Sequence, residues 1–248
     1  MRVHADLHVH TVLSPCGEIE MVPPLIVERA LQAGLDLIAI TDHNASANVG
    51  AVIEAARGTR LQVLPGMELQ TCEQIHLLCL FESLEQLEAW QCQVDRAMPC
   101  RENRSDSLGE QFVTNAAGEF VRHESRLLLV PVQISLKEAV ERVDALGGLV
   151  IPAHVDRPKN GLVALQGFAL GELKVGACEI SPNITENAAR ERFHLPEELV
   201  LIRSSDAHWL DALGSAYVGF DLDGPCCLTS LSRAFQDRTM DVFLRPNS

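Results

Sequence analysis

Histidines and carboxylates stand at the ends of apolar runs throughout this 248-residue chain. His8 and His10 follow the run 3–7, Asp42 and His43 close 35–41, Glu68 follows 61–67, and His76 opens 77–81. His154 closes 149–153, and Asp206 and His208 follow 199–203. Divalent metals need neutral imidazoles and ionised carboxylates that converge on one point. Strand ends delivering such groups from every part of a chain are what a barrel with a multinuclear metal site looks like in one dimension.

Taken singly, each residue has a plainer reading. Residues two apart in a strand face one side, so His8 and His10 can meet one metal, yet a chance pair in a strand looks the same. Asp42 can initiate the turn after its strand rather than bind anything. Glu68 follows Pro65-Gly66-Met67 and can be a turn carboxylate. Two metals close together, however, need a bridging anion, and a carboxylate has two oxygens for that purpose. His76 and His154 are lone histidines beside core strands, a place where structural histidines are common. Asp206-Ala207-His208 repeats the spacing of the first pair with one carboxylate and one imidazole. His4, His123 and His194 read as structural or solvated.

These groups need elements to carry them. Residues 3–8, 35–41, 61–64, 75–81, 149–153, 177–180, 199–203 and 216–218 read as strands. Helices are expected at 24–33, 49–57, 186–193 and near 229–236. Two more open at the capping boxes Ser83-x-x-Gln86 and Ser135-x-x-Glu138. A loop joins His154 to the strand at 177. Alternating strands and helices predict a parallel sheet, closed or nearly closed as a barrel, with its chemistry at the C-terminal strand ends. Near 97–130 the alternation lapses, with at most one hairpin around 115–118. Five arginines and five acids balance between residues 96 and 126. A loop that long in a compact domain is usually functional or disordered. A solvated excursion and a substrate-covering lid both fit.

The formal net charge of −14 disfavours a broad grip on long duplex nucleic acid, which needs many Lys and Arg contacts to phosphates. A small phosphorylated substrate is the expected partner, since metals can supply the missing positive charge. Aromatic residues make up only 4% of the chain, which limits base stacking. The N-terminus is charged and no run reaches the length of a membrane span, so a soluble cytoplasmic protein with no membrane partner is expected. The eight cysteines form no paired C-x-x-C motif and are expected to be reduced and mostly buried.

The chain resembles the PHP (polymerase and histidinol phosphatase) domain family of metal-dependent phosphoesterases. The resemblance rests on Asp6-Leu7-His8-Val9-His10-Thr11, Ile38-Ala39-Ile40-Thr41-Asp42-His43-Asn44, Pro65-Gly66-Met67-Glu68, His76, Pro152-Ala153-His154 and Ser205-Asp206-Ala207-His208. It covers nearly the whole chain and implies a single-domain, distorted seven-stranded β/α barrel of TIM-like, PHP type over 1–248, with the irregular insertion near 97–130. It also implies two or three divalent metal ions, zinc, iron or manganese. His8, His10, Glu68 and Asp206 would hold the first, and Glu68 would bridge to a second held by His76 and His154. His43 and His208 would hold a third with one ligand from the following loop. Relatives often place Asp or His there; this loop offers Cys16, with Glu18 as the fallback.

The activity so implied is hydrolysis of a small phosphomonoester or nucleotide by a metal-activated hydroxide. Glu68 would be the bridge, and Asp206 or His208 would assist proton transfer. Arg157, Lys159 and Arg104 are the candidate substrate-binding cations, Arg157 first because it lies three residues after His154. The alternatives are a nuclease acting on the ends of short oligonucleotides, a metal-bound structural module without turnover, and an amide hydrolase.

Overall fold

The computed structural model describes residues 1–162, 173, 175–222 and 226–245. Its centre is a curled seven-stranded sheet. The strands are β1 (Arg2–Val9), β2 (Leu37–Ile40), β3 (Gln62–Gln70), β4 (His76–Leu80), β7 (Leu149–Pro152), β10 (Ala216–Asp221) and β11 (Met240–Leu244), in the order β11-β10-β1-β2-β3-β4-β7. A hairpin of β5 (Phe112–Thr114) and β6 (Phe120–His123) and a parallel pair of β8 (Ala177–Glu179) and β9 (Val200–Ile202) complete the strands. The helices are α1 (Pro23–Gln32), α2 (Val49–Ala55), α3 (Leu84–Ala97), α4 (Ser105–Leu108), α5 (Leu136–Ala145), α6 (Glu186–Phe193) and α7 (Leu228–Asp237). This is the distorted barrel expected from the sequence. The expected loop between His154 and Ala177 lies largely outside the described residues.

The sheet is mixed rather than parallel. β1, β2 and β3 pair in parallel, whereas β4, β7, β10 and β11 join antiparallel. The cause is visible in β3. Its first half pairs with β2, then the strand runs on through Pro65-Gly66 and pairs with β4. A Cβ on Gly66 would lie 2.9 Å from the Ile40 carbonyl oxygen and 2.9 Å from Leu80 Cδ2. Glycine therefore permits the close approach at which β3 changes partner, where a turn was expected. Only residues 71–75 separate β3 from β4, too few for a parallel crossover, so a hairpin is forced. The sequence reading also missed β11.

β1 carries a second irregularity. Asp6 and Val9 pair with Ile38 and Ile40, so three steps on β1 oppose two on β2. Such a bulge reverses the alternation of side chains. Val3, Ala5 and Leu7 join the cluster formed with Leu37, Ala39, Leu78, Leu80, Ile151 and, from α7, Leu231 and Phe235. His4 faces the other way, against the rings of Tyr217 and Phe243. Without the bulge His8 would follow His4; with it, His8 and His10 turn to the mouth above the apolar interior. A larger cluster packs the helices on the outer face, with Trp90 of α3 and Val143 of α5 fully buried. Both expected capping boxes form: Ser83 with Gln86 and Ser135 with Glu138.

Backbone bonds close the rim at the candidate ligands. The Val155 N–H donates to the Glu179 carbonyl at 2.8 Å, and the His10 N–H donates to the Ala207 carbonyl at 3.0 Å. All eight cysteines are free, but only Cys79 and Cys178 are buried, because the others lie on helix surfaces, loops and rim turns. No described helix is long and apolar enough to cross a membrane.

The close approach at Gly66 yields a prediction. Gly66→Ala places a methyl against backbone, and overpacking of this kind costs about 1–3 kcal/mol. The urea midpoint should fall with the slope unchanged. An unaltered midpoint would mean that the strands separate freely there.

Candidate metal centre

The strand ends bring eight of the predicted ligands together. The Glu68 carboxylate lies 3.3 Å from His8 Nε2, 3.4 Å from His10 Nε2, 2.8 Å from His43 Nδ1, 2.8 Å from His76 Nδ1 and 3.1 Å from His154 Nε2. Asp206 Oδ1 lies 3.2 Å from His8 Nε2 and 3.3 Å from His10 Nε2. His208 stacks on His10 with ring centroids 4.1 Å apart. Three groups have ligand atoms mutually within 4.8 Å: His8, His10 and Glu68; His43, Glu68 and His76; and His10, His43 and His208.

Cys16 is exposed at the rim, beside His208 and His43, which both act on its thiol. It borders the third group without having its sulfur within 4.8 Å of all three imidazoles. The Glu18 carboxylate has no described contact with the cluster; its backbone N–H donates to the His208 carbonyl at 2.8 Å. Arg157 reaches the cluster, with one guanidinium nitrogen 2.8 Å from Asp206 Oδ2. Lys159 and Arg104 are exposed, Arg104 just before α4 on the insertion, and among the described contacts neither touches the cluster.

Asp42 keeps its plainer reading. It accepts hydrogen bonds from the Thr11 backbone and hydroxyl and from the Ser14 hydroxyl, and so braces the loop after His10. Asp6 accepts from the Ser205 and Gly214 backbone N–H groups and holds the Asp206 turn.

The buried polar atoms fit divalent metals. His43 Nδ1, Glu68 Oε2, His76 Nε2 and His154 Nδ1 are buried and have no hydrogen-bond partner. His43 Nδ1 and Glu68 Oε2 lie 2.8 Å apart but not in hydrogen-bonding geometry. His8 Nε2 and His10 Nε2 face each other at 3.1 Å, where at most one proton fits. Lone pairs aimed at one another in a dry mouth are what a cation would reconcile.

The electrostatics agree. Burial pushes the Glu68 carboxyl up, but His76, His8 and His43 outweigh it and hold it well below its ordinary range. Burial likewise raises Asp206 and is overcome by His8 and His10. Burial pulls His8 down, yet Asp206, Glu179 and Glu68 raise it well above the ordinary imidazole value. Desolvation raises the Cys16 thiol, but the neighbouring His208 and His43 prevail and bring it to about 7. These shifts favour ionised carboxylates and a thiolate, as metal ligation requires, whereas His8, and His43 raised against its burial to about 10 by Glu68 and Cys16, would each give up a proton to a metal.

Sequence reasoning missed Glu179. This buried residue ends β8, and its oxygens both lie 3.2 Å from His8 Nδ1. One of them also accepts from the His154 backbone N–H at 3.1 Å. An acceptor on Nδ1 places the imidazole proton there and frees Nε2 for a metal. The signal was available: Glu179 is the one charged residue in the apolar stretch 177–180, at a strand end like the others. His154 and Asp206 adopt φ of +30° and +49°, in the left-handed region that costs non-glycine residues free energy. The Glu179 bond to His154 N and the Asp6 bonds around Asp206 hold these conformations.

Glu179→Ala should weaken metal binding roughly 10–100-fold, because His8 loses its orienting acceptor. Zinc titration of the metal-free protein followed by calorimetry checks this. Unchanged affinity would reduce Glu179 to packing.

Comparisons with known proteins agree with this architecture. The chain resembles the lesion-specific endonuclease Q of Pyrococcus furiosus at 18% identity and a TM-score of 0.70, over 98% of this chain and 58% of that one. A second endonuclease Q structure, a complex with a 27-mer duplex carrying an abasic lesion at the active site, gives 18% and 0.68, over 96% and 57%. The chain thus spans less than two thirds of those proteins. A putative metal-dependent phosphoesterase from Bifidobacterium adolescentis matches at 20% identity and a TM-score of 0.54, over 82% of this chain and 87% of that one. No curated protein sequence matches. At these identities the structural likeness establishes the fold alone, and in sequence residues 6–120 match the family model of the PHP domain.

Proposed function

We propose that the protein is a metal-dependent hydrolase of phosphate esters, acting on a small phosphomonoester or nucleotide. The observation that carries this reading is one buried carboxylate, Glu68, within 3.4 Å of imidazoles from five positions. The PHP match over residues 6–120 and the likeness to a metal-dependent phosphoesterase support it. Zinc, iron or manganese suit a set of imidazoles, carboxylates and one thiol.

When bound, the metal ions would supply an activated water and positive charge for phosphoryl oxygens. The chain does the rest. Glu68 holds two ligand groups in register through its two oxygens. Asp206 turns Oδ1 toward His8 and His10 and Oδ2 toward Arg157, which fixes the guanidinium at the rim. Arg157 there is the cation for an incoming phosphate, since a guanidinium matches phosphate oxygens bidentately. His208 is partly exposed above His10, and its Nδ1 donates to the Asp206 carbonyl at 2.8 Å, which leaves Nε2 free toward the third ligand group.

A second reading, cleavage at the end of an oligonucleotide, is favoured by the likeness to endonuclease Q across nearly the whole chain. The net charge of −14 weighs against an extended duplex footprint.

Assays of the metal-loaded protein on nucleoside monophosphates, sugar phosphates, 5′-phosphorylated oligonucleotides, an abasic duplex and an amide panel separate these readings. Turnover should be greatest on small phosphomonoesters, and turnover of amides alone would overturn the reading. Glu68→Gln should abolish turnover and release at least one metal equivalent, since the lost charge serves two ligand groups. Full activity with full metal content by elemental analysis would remove Glu68 from the centre.

A further inference from the structure

The insertion near 97–130 is ordered, and it packs on the loop that follows His10 rather than standing over open solvent. Leu13 of that loop is fully buried with Ala45, Val113 and Leu128, and Met98 packs against the same cluster. The Phe112 N–H donates to the Val12 carbonyl at 3.1 Å. Asn48 joins the two segments. Its side-chain amide donates to Thr11 Oγ1 at 2.9 Å and to the Phe112 carbonyl at 3.0 Å, and its carbonyl oxygen accepts from the Thr114 N–H at 2.9 Å. Gly109 lies directly on the turn that carries Cys16. A Cβ there would come 2.0 Å from the Pro15 carbonyl oxygen, and its φ is +93°.

This loop orients one residue of the third ligand group and carries Cys16 to its border. Ser14 Oγ donates its single proton to Asp42 Oδ1 at 2.7 Å, so at 2.9 Å from His10 Nδ1 it must accept. The proton is thereby fixed on His10 Nδ1, and Nε2 is left toward Asp206 and Glu68. Two residues on, Cys16 lies at the rim beside His43 and His208. An eight-residue loop containing Pro15 and Gly17 has no regular structure to fix it. Its outward side is fixed by the insertion.

We propose that the insertion is a positioning element for the metal centre: through Gly109, Phe112 and the Asn48 side chain it holds residues 11–18 in the form that presents Ser14 to His10 and Cys16 to His43 and His208. The inference rests on the reading that His10, His43, His208 and Cys16 hold a metal. It differs from a lid, which would act on substrate and leave the metals alone. Gly109, Phe112 and Asn48 act through the loop and touch no reacting atom.

The test is cobalt(II) titration of the metal-free protein without substrate, following total stoichiometry and the near-ultraviolet thiolate-to-cobalt absorption that reports Cys16. In the unmodified protein that absorption should appear, and Cys16→Ser should remove it. Gly109→Val pushes a side chain into the Pro15 carbonyl. Asn48→Ala removes the cross-links without adding volume and serves if the first variant folds poorly. Both should weaken the thiolate-linked cobalt by about tenfold or more while the remaining cobalt binds as before. A purely structural role would instead lower the thermal midpoint and leave the absorption of the folded fraction intact. Two outcomes overturn the proposal: no thiolate absorption in the unmodified protein, or both variants keeping cobalt affinity and absorption. Because no substrate is present, failure of the phosphoesterase reading leaves this test standing. Phosphoester turnover with unaltered cobalt binding in the variants would sink this inference alone.

Discussion

The structure depends on one expensive arrangement: a fully buried glutamate surrounded by imidazoles. Glu68 is 1% exposed, and His8 and His10 are completely buried beside it. An ionised carboxylate taken out of water loses several kcal/mol of hydration, which only close opposite charge and good geometry restore. Here the opposite charge must come from protonated histidines or from metal. Protonated histidines serve only in part: Asp206, Glu179 and Glu68 raise His8 against its burial, but burial and the neighbouring His208 hold His10 well below its ordinary value. Cations with high charge and small size resolve both problems at once. The buried polar atoms that lack partners, on His43, Glu68, His76 and His154, mark where the metal-free arrangement falls short.

Holding such a cluster needs a backbone that departs from regular geometry in the right places. The bulge between Asp6 and Val9 turns His8 and His10 toward the mouth. Gly66 lets β3 leave β2 for β4, which places Glu68 opposite Leu78, two residues beyond His76 on the same face. His154 and Asp206 accept positive φ, and buried carboxylates bond to the backbone around both. Three acids that bind no metal in this reading, Asp6, Asp42 and Glu179, thus do as much to define the centre as the ligands themselves. Strain at the mouth is offset by hydrogen bonds that only the folded barrel supplies.

Much of this was legible in the sequence, and the gaps have physical causes. The candidate ligands were visible because histidines and acids recur at the ends of apolar runs along the whole chain. The capping boxes at Ser83 and Ser135 were visible because they are local, as was the hairpin at 115–118. Strand direction was not, since apolar runs look alike in parallel and antiparallel pairing, although the short span from Gln70 to His76 already required a hairpin. The inward turn of His8 was expected from spacing alone, but it rests on a bulge that no spacing reveals; His4, four residues further back and before the bulge, faces outward. Glu179 hid because a single glutamate in a short strand carries no motif. The role of the insertion was hidden most completely. Its contacts with Val12, Leu13 and Pro15 join residues about a hundred positions apart, through backbone groups that side-chain chemistry does not announce.

The two faces of Asp206 connect the metal centre to whatever it receives. Oδ1 is committed to His8 and His10, and Oδ2 holds Arg157 at 2.8 Å. Filling the centre with divalent cations would therefore not displace the guanidinium, because each oxygen serves its own partner. An anion at the mouth would meet metal on one side and Arg157 on the other, separated by the width of one carboxylate. That spacing suits a phosphoryl group, whose oxygens spread over a similar span and which gains from bidentate guanidinium contact. It would also let a chain with a net charge of −14 attract a phosphate. With metals bound, the local field at the mouth would be set by them and one arginine rather than by the protein's overall charge, and it would fade within about one Debye length, roughly 8–10 Å at physiological salt. A substrate whose phosphate lies at its own end can use that short-range field fully. A long polyanion would leave most of its charge over the acidic surface beyond it.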